Sequence, residues 1–121
     1  MAKILFINPV VREEDVPRHI PYGIALLASI AMKNGHLVQV YDANAHRLPI
    51  ETITEVCLAD EWDAICIGGL TTTYNYIKKA CKLIKEAAPN AQLIAGGGFL
   101  TSMPHEIFEW VPQIDVGCIG E

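Results

Sequence analysis

The chain has 121 residues, of which 51% are hydrophobic and 19% charged, which fits one globular domain with a single core and excludes a disordered polymer. Its net charge of −5 argues against nucleic acid, whose phosphate backbone needs a clustered basic surface. No apolar run is long enough to cross a membrane, and the start Met1-Ala2-Lys3-Ile4-Leu5-Phe6-Ile7 is too short for a signal-peptide core. The expectation is a cytoplasmic protein with no membrane and no nucleic-acid partner.

Lys3 to Asn8 is a continuous apolar run ending at Asn8-Pro9, which suits a central parallel strand buried on both faces. A loop of about twelve residues follows to Ile20, long enough for a strand-to-helix connection to suggest function. Pro21 suits a first helical position, and Ile24, Leu27, Ala28 and Ala31 then repeat at helical spacing. Asn34-Gly35 closes that helix, because glycine tolerates the left-handed conformation after a helix end.

Leu37 to Tyr41 reads as the second strand, closing on Asp42-Ala43-Asn44. A short helix follows with Ile53, Val56 and Cys57 inward. Asp63 to Ile67 is the third strand, running into Gly68-Gly69-Leu70-Thr71-Thr72-Thr73, where a threonine is expected to cap the next helix. In that helix Ile77, Ala80, Cys81 and Ile84 form the core stripe, and Lys78, Lys79, Lys82 and Lys85 read as a solvated face. The fourth strand is Gln92 to Ala95, followed by a helix from about Met103 to Trp110 and a fifth strand from Val116 to Ile119. The alternation predicts an α/β, flavodoxin-like doubly wound parallel sheet of five strands in the order 2-1-3-4-5, with the final helix absent.

The fourth strand breaks into Gly96-Gly97-Gly98. Consecutive glycines allow positive φ and let a ligand approach the main chain, although a tight turn with no ligand needs the same residues. In such sheets the ligand lies beyond the carboxyl ends of the strands, where these glycines and Gly68-Gly69 fall on adjacent rim loops. Together they leave a slot beneath a flat platform, a shape for a ligand with a long tail and a broad head.

Familiar ligand motifs are missing. Asn8-Pro9-Val10-Val11-Arg12-Glu13 stands where a dinucleotide fold would carry G-x-G-x-x-G, so Asp42 reads as a loop cap and not as a ribose ligand. Flavodoxin's hydroxyl-rich phosphate loop and a receiver domain's acidic pair are absent too. Cys57, Cys66, Cys81 and Cys118 have no C-x-x-C or Cys/His spacing and read as small buried hydrophobes with no metal or cluster. His36 reads as structural, His46 and His105 as surface, and His19 falls in the long first loop. Trp62 and Trp110 read as packing residues.

Over nearly its whole length the chain resembles the amino-terminal cobalamin-binding domain of radical S-adenosylmethionine enzymes. The matching pieces are Ile4 to Pro9, Pro21 to Ser29, Asn34 to Val38, Tyr41 to Asn44, Gly96-Gly97-Gly98 and the terminal Gly120-Glu121. The resemblance implies that cobalamin's nucleotide tail threads the slot, lined by Leu70, Thr71, Thr72, Gly96, Gly97 and Gly98. It also implies that the corrin lies over the strand ends, bordered by Asn8, Pro9, Pro21, Tyr22 and Gly23. The D-x-H-x-x-G motif, whose histidine binds cobalt in the methionine-synthase and mutase type, is absent here, as it generally is in the radical enzymes. Gly68 replaces the serine of the usual S-x-L segment. Residues 1–121 would then be the cobalamin domain of a longer enzyme of methyltransferase or magnesium-protoporphyrin ester cyclase type. S-adenosylmethionine, the [4Fe-4S] cluster and the catalytic barrel would belong to a C-terminal radical domain, its partner, so that this part is no enzyme alone. The alternative is a docking or scaffold module of the same fold that has lost the cofactor.

Overall fold

The computed structural model describes residues 1–12, 14, 16 and 20–120. Five strands form one parallel sheet in the order β2-β1-β3-β4-β5. They are β1 (Lys3–Asn8), β2 (Leu37–Asp42), β3 (Ala64–Gly68), β4 (Gln92–Gly96) and β5 (Val116–Gly117). The helices are α1 (Tyr22–Lys33), α2 (Ala43–His46), α3 (Thr52–Leu58), α4 (Tyr74–Ala87), α5 (Gly98–Ser102) and α6 (Ile107–Trp110). This is the flavodoxin-like arrangement expected from the alternation of apolar runs.

The core lies on one face of the sheet. Leu5 and Ile7 of β1, Ile65 and Ile67 of β3, and Leu93 and Ala95 of β4 project into it, where they meet Ile53 of α3, Ile77 and Ile84 of α4, and Phe99 and Leu100 of α5. Most of these side chains are wholly inaccessible; burying each stabilises the fold by roughly 1.5–3 kcal/mol before entropy is subtracted. α1 ends as its sequence predicts, with Asn34 at the C-cap and Gly35 beyond it at φ 83°. Below the sheet, Asp115 accepts from the Leu93 N–H (2.8 Å) and the Lys85 ammonium (2.6 Å). Lys85 is therefore tied down and does not belong to the solvated lysine face.

Three local expectations change. Thr73 precedes α4 but caps nothing, because its hydroxyl donates back to the Leu70 carbonyl (2.7 Å) and Thr71–Thr73 winds as a 3-10 turn. The segment after β4 is two short helices with a turn between them, the first starting at Gly98 and not near Met103. β5 is only two residues long, because backbone pairing with β4 stops at Ala95↔Gly117.

Candidate cofactor-binding slot

The second face of the sheet is covered unevenly. α1 lies over β1 and β2, while Cys66 of β3 and Ile94 of β4 stay half-buried and Cys118, just past β5, is exposed. Between α1 and these strands runs an apolar slot of about 280 Å³ that opens at the carboxyl edge of the sheet. Gly23, Ile24 and Leu27 form its helical wall, and Phe6, Cys66, Ile94 and Cys118 its sheet wall. The backbone of Gly68-Gly69 and Gly96-Gly97 closes the end. The lining is almost wholly carbon, so the slot's interior suits a flat uncharged group and leaves any charged part of a ligand to the open rim.

The glycines do different jobs. Gly97 has φ 92°, and a Cβ there would stand 2.8 Å from the Gly69 carbonyl oxygen. That carbonyl accepts the Phe99 N–H (3.0 Å), which fixes the two rim loops against each other. Gly68 is equally confined: its Cβ would lie 2.5 Å from the Gly96 carbonyl oxygen, so β3 and β4 approach too closely here for a serine. Gly23 and Gly96 are roomier. A Cβ on Gly23 meets nothing within 4 Å, and one on Gly96 meets only Cys118, at 3.6 Å. These two glycines keep the slot open, whereas Gly68 and Gly97 permit the loop packing.

Of the residues expected to line the tail, Gly96 and Gly97 do line the slot, and Gly23 joins them from α1. Gly98 begins α5 beside Leu70, while Leu70, Thr71 and Thr72 lie exposed on the rim outside the slot wall. Asn8 ends β1 and donates its amide to Asp42 (2.9 Å); Pro9 is buried next to it. Pro21 stands at the N-cap of α1, one position before the first helical residue expected for it, and Tyr22, which opens the helix, is 75% exposed. Asp42 caps α2 through the Ala45 N–H (2.9 Å), as a loop-capping residue should. Asn44, 2% exposed, accepts the Val11 N–H (3.0 Å) and anchors the start of the long loop. Phe6, Ile24, Leu27, Cys66, Ile94 and Cys118 line the slot without any motif to mark them. Their only signal in the sequence is apolarity, which core residues share.

Cysteine burial differs from the expectation at two positions, Cys66, which is half-buried, and Cys118. Cys57 and Cys81 are buried, and desolvation pushes their thiols up to about 11 and about 12. Burial, aided by nearby Cys118, raises Cys66 to about 11. Cys118 is exposed at the slot, because β5 is the sheet's edge and nothing among the described residues covers it. No group of three metal-ligating side chains comes together among the described residues. His36 is structural, accepting the Ala2 N–H on Nδ1 (2.9 Å); His46 and His105 are exposed, and His19 lies outside the described residues. Trp62 is buried and donates to the Val56 carbonyl, whereas Trp110 is half-exposed against the edge of Tyr74. A larger open hollow of about 860 Å³ lies at the opposite, amino edge around Lys3, Trp62 and Asn90. It has a polar floor and sits at the end of the sheet where this fold does not place ligands.

An open α/β sheet with an apolar slot and a glycine platform at its carboxyl edge defines a small-molecule-binding domain of the doubly wound class. Family comparison identifies which one. The profile of the B12 binding domain family matches residues 9–121, and the chain belongs to that family. It is 28% identical over 105 residues to the cobalamin-dependent radical SAM methyltransferase TokK of Streptomyces tokunonensis, covering 84% of this chain and 15% of TokK. Among solved structures it resembles the radical S-adenosylmethionine methyltransferase TsrM of Kitasatospora setae, solved with cobalamin and a [4Fe-4S] cluster bound. The TM-score is 0.77 at 17% identity, over 92% of this chain and 21% of TsrM. It also resembles the cobalamin-dependent radical enzyme OxsB, solved with aqua-cobalamin and S-adenosylmethionine bound, with TM-score 0.84 at 17% identity, over 96% of this chain and 16% of OxsB. The chain thus spans about a fifth or less of the length of these relatives. It is a cobalamin-binding domain similar to those of cobalamin-dependent radical enzymes.

Proposed function

We propose that this domain holds cobalamin with its nucleotide tail in the slot between α1 and β3–β4 and its corrin across the strand ends, within a radical S-adenosylmethionine enzyme. The observation that carries the reading is the apolar slot kept open by Gly23 and Gly96, whose missing side chains leave a flat passage from the rim into the fold. When bound, cobalamin supplies a carrier of a methyl group or an electron. The protein's part is to bind and orient it: Phe6, Ile24, Leu27 and Ile94 exclude water from the tail, and Gly96-Gly97 present bare backbone to it, with Gly98 next to them beside Leu70. Asn8-Pro9 and Pro21-Tyr22 border the corrin. Leu70, Thr71 and Thr72 flank the tail's entrance from the rim, where a threonine hydroxyl supplies the hydrogen bond that Gly68, having no side chain, cannot make.

No histidine lines the slot among the described residues, and the first loop carries no D-x-H-x-x-G; His19 of that loop lies outside the described residues, so this reading assigns none of the described histidines to the cobalt. A radical domain on the same polypeptide as in the relatives, of methyltransferase or magnesium-protoporphyrin ester cyclase type, would carry the S-adenosylmethionine and the cluster. The direct test is to mix the protein with hydroxocobalamin, desalt it and record the visible spectrum. Stoichiometric corrin absorbance in the protein fraction is expected. Protein that emerges colourless would instead make the domain a docking module without cofactor.

A further inference from the structure

The free edge of β2 has no part in the slot. In a parallel pair, alternate residues turn both backbone polar groups towards the neighbouring strand. Leu37 donates its N–H to the Ala2 carbonyl, so Leu37, Gln39 and Tyr41 face β1, and Val38 and Val40 turn their N–H and C=O outward. Among the described residues β2 pairs with β1 alone. Natural sheets blunt such an edge with lysine, proline or a bulge. From Leu37 to Tyr41 this one has none, and Leu37 and Val40 are 50% and 44% exposed.

The edge is also self-complementary. Leu37-Val38-Gln39-Val40-Tyr41 reads nearly the same in both directions about Gln39, and antiparallel self-pairing brings like positions together only for such a sequence. We propose that β2 is a self-recognition edge, on which a second copy of this chain pairs antiparallel to form a two-fold dimer. The dyad passes beside Gln39. Val38 lies opposite Val40 of the second copy and the reverse, so each pair exchanges both N–H···O=C bonds through the groups that point outward. The same register sets Asp42 opposite His36 of the second copy at both ends; Asp42 Oδ1 already accepts from Asn8 and from the Ala45 N–H, so Oδ2 is the oxygen that would meet it. His36 has its Nδ1 occupied as an acceptor, which leaves Nε2 as a donor. Growth stops at two copies, because the opposite edge, β5, is only Val116–Gly117 and offers no strand to extend from.

Sedimentation velocity of this protein from low to high micromolar concentration is the test, with two variants. Val38→Pro removes only an outward N–H, which an edge strand tolerates. Val40→Lys places a charge at the pairing edge. Each is expected to weaken dimerisation by at least about tenfold, with unchanged far-ultraviolet circular dichroism and unchanged hydroxocobalamin uptake. Gln39→Cys should cross-link into a disulfide dimer on mild oxidation when the parent protein does not, since opposed residues at a non-hydrogen-bonded position lie within disulfide reach. A parent protein that stays monomeric throughout, a dimer untouched by Val40→Lys, or assembly beyond two copies overturns the proposal. Because cobalamin uptake is read separately, its failure leaves the functional reading standing.

Discussion

Gly97 stands against the backbone of Gly69: a Cβ on the first would lie 2.8 Å from the carbonyl oxygen of the second, and the Gly97 φ is 92°. Gly97→Ala therefore meets both a clash and a left-handed backbone, and it should cost about 1–3 kcal/mol of stability. Gly96→Ala, one residue away with its nearest neighbour at 3.6 Å, should cost less than about 1 kcal/mol. Urea unfolding of the two variants checks the contrast. Equal destabilisation would mean that the rim loops do not pack as described.

Gly23 gives the clean probe of the slot. A side chain there enters open space on the helical wall, and leucine is a better helix former than glycine. Gly23→Leu should leave the melting temperature equal or higher and reduce hydroxocobalamin affinity by at least about tenfold, the loss of about 1.4 kcal/mol. Equilibrium dialysis measures it, and an unchanged affinity would place the tail elsewhere.

Thiol reactivity should follow burial and the slot. Cys118 is expected to react first with Ellman's reagent, while Cys57 and Cys81, pushed up to about 11 and about 12, stay inert in the native protein. Cobalamin should protect Cys118, since its side chain lines the slot. Peptide mass spectrometry of labelled protein, with and without cobalamin, reports both effects. Early labelling of Cys57 would contradict the burial.

The acid limb of stability should depend on Asp115. The Leu93 N–H and then the Lys85 ammonium hold its carboxyl below the ordinary aspartate range. A depressed carboxyl stabilises the fold above its unfolded pKa and loses that contribution as pH falls through the folded value, here below about pH 4. Because the group is partly exposed, the contribution is modest, about 1 kcal/mol at neutral pH. Asp115→Asn should lower stability by that amount at pH 7 and flatten the decline at low pH. Chemical denaturation at a series of pH values tests it.

This polypeptide should assemble no iron–sulfur cluster. Cys57 sits on α3, Cys66 on β3, Cys81 on α4 and Cys118 just past β5, so the thiolates that such a cluster needs cannot converge without taking the sheet apart. Anaerobic reconstitution with iron and sulfide, followed by an assay for 5′-deoxyadenosine, is expected to yield neither cluster nor cleavage. A stoichiometric cluster would refute the assignment.

Sequence periodicity by itself determined the sheet. Continuous apolar runs at Lys3–Asn8 and Ala64–Gly68 and helical stripes such as Ile77, Ala80, Cys81 and Ile84 are local signals, and their alternation admits few topologies. The glycines of the rim were legible for the same reason, as breaks in those runs. Their roles were not. Whether a glycine confines a loop, as Gly97 does against Gly69, or opens a cavity, as Gly23 does, depends on what stands opposite it across the fold. The slot's walls were hidden for a related reason: in a buried strand both faces are apolar, so Cys66 and Ile94 read like Ile65 and Leu93 until α1 and the core helices take their sides. Local chemistry writes the elements, but the distance between residues far apart in the chain decides which of their atoms a ligand can reach.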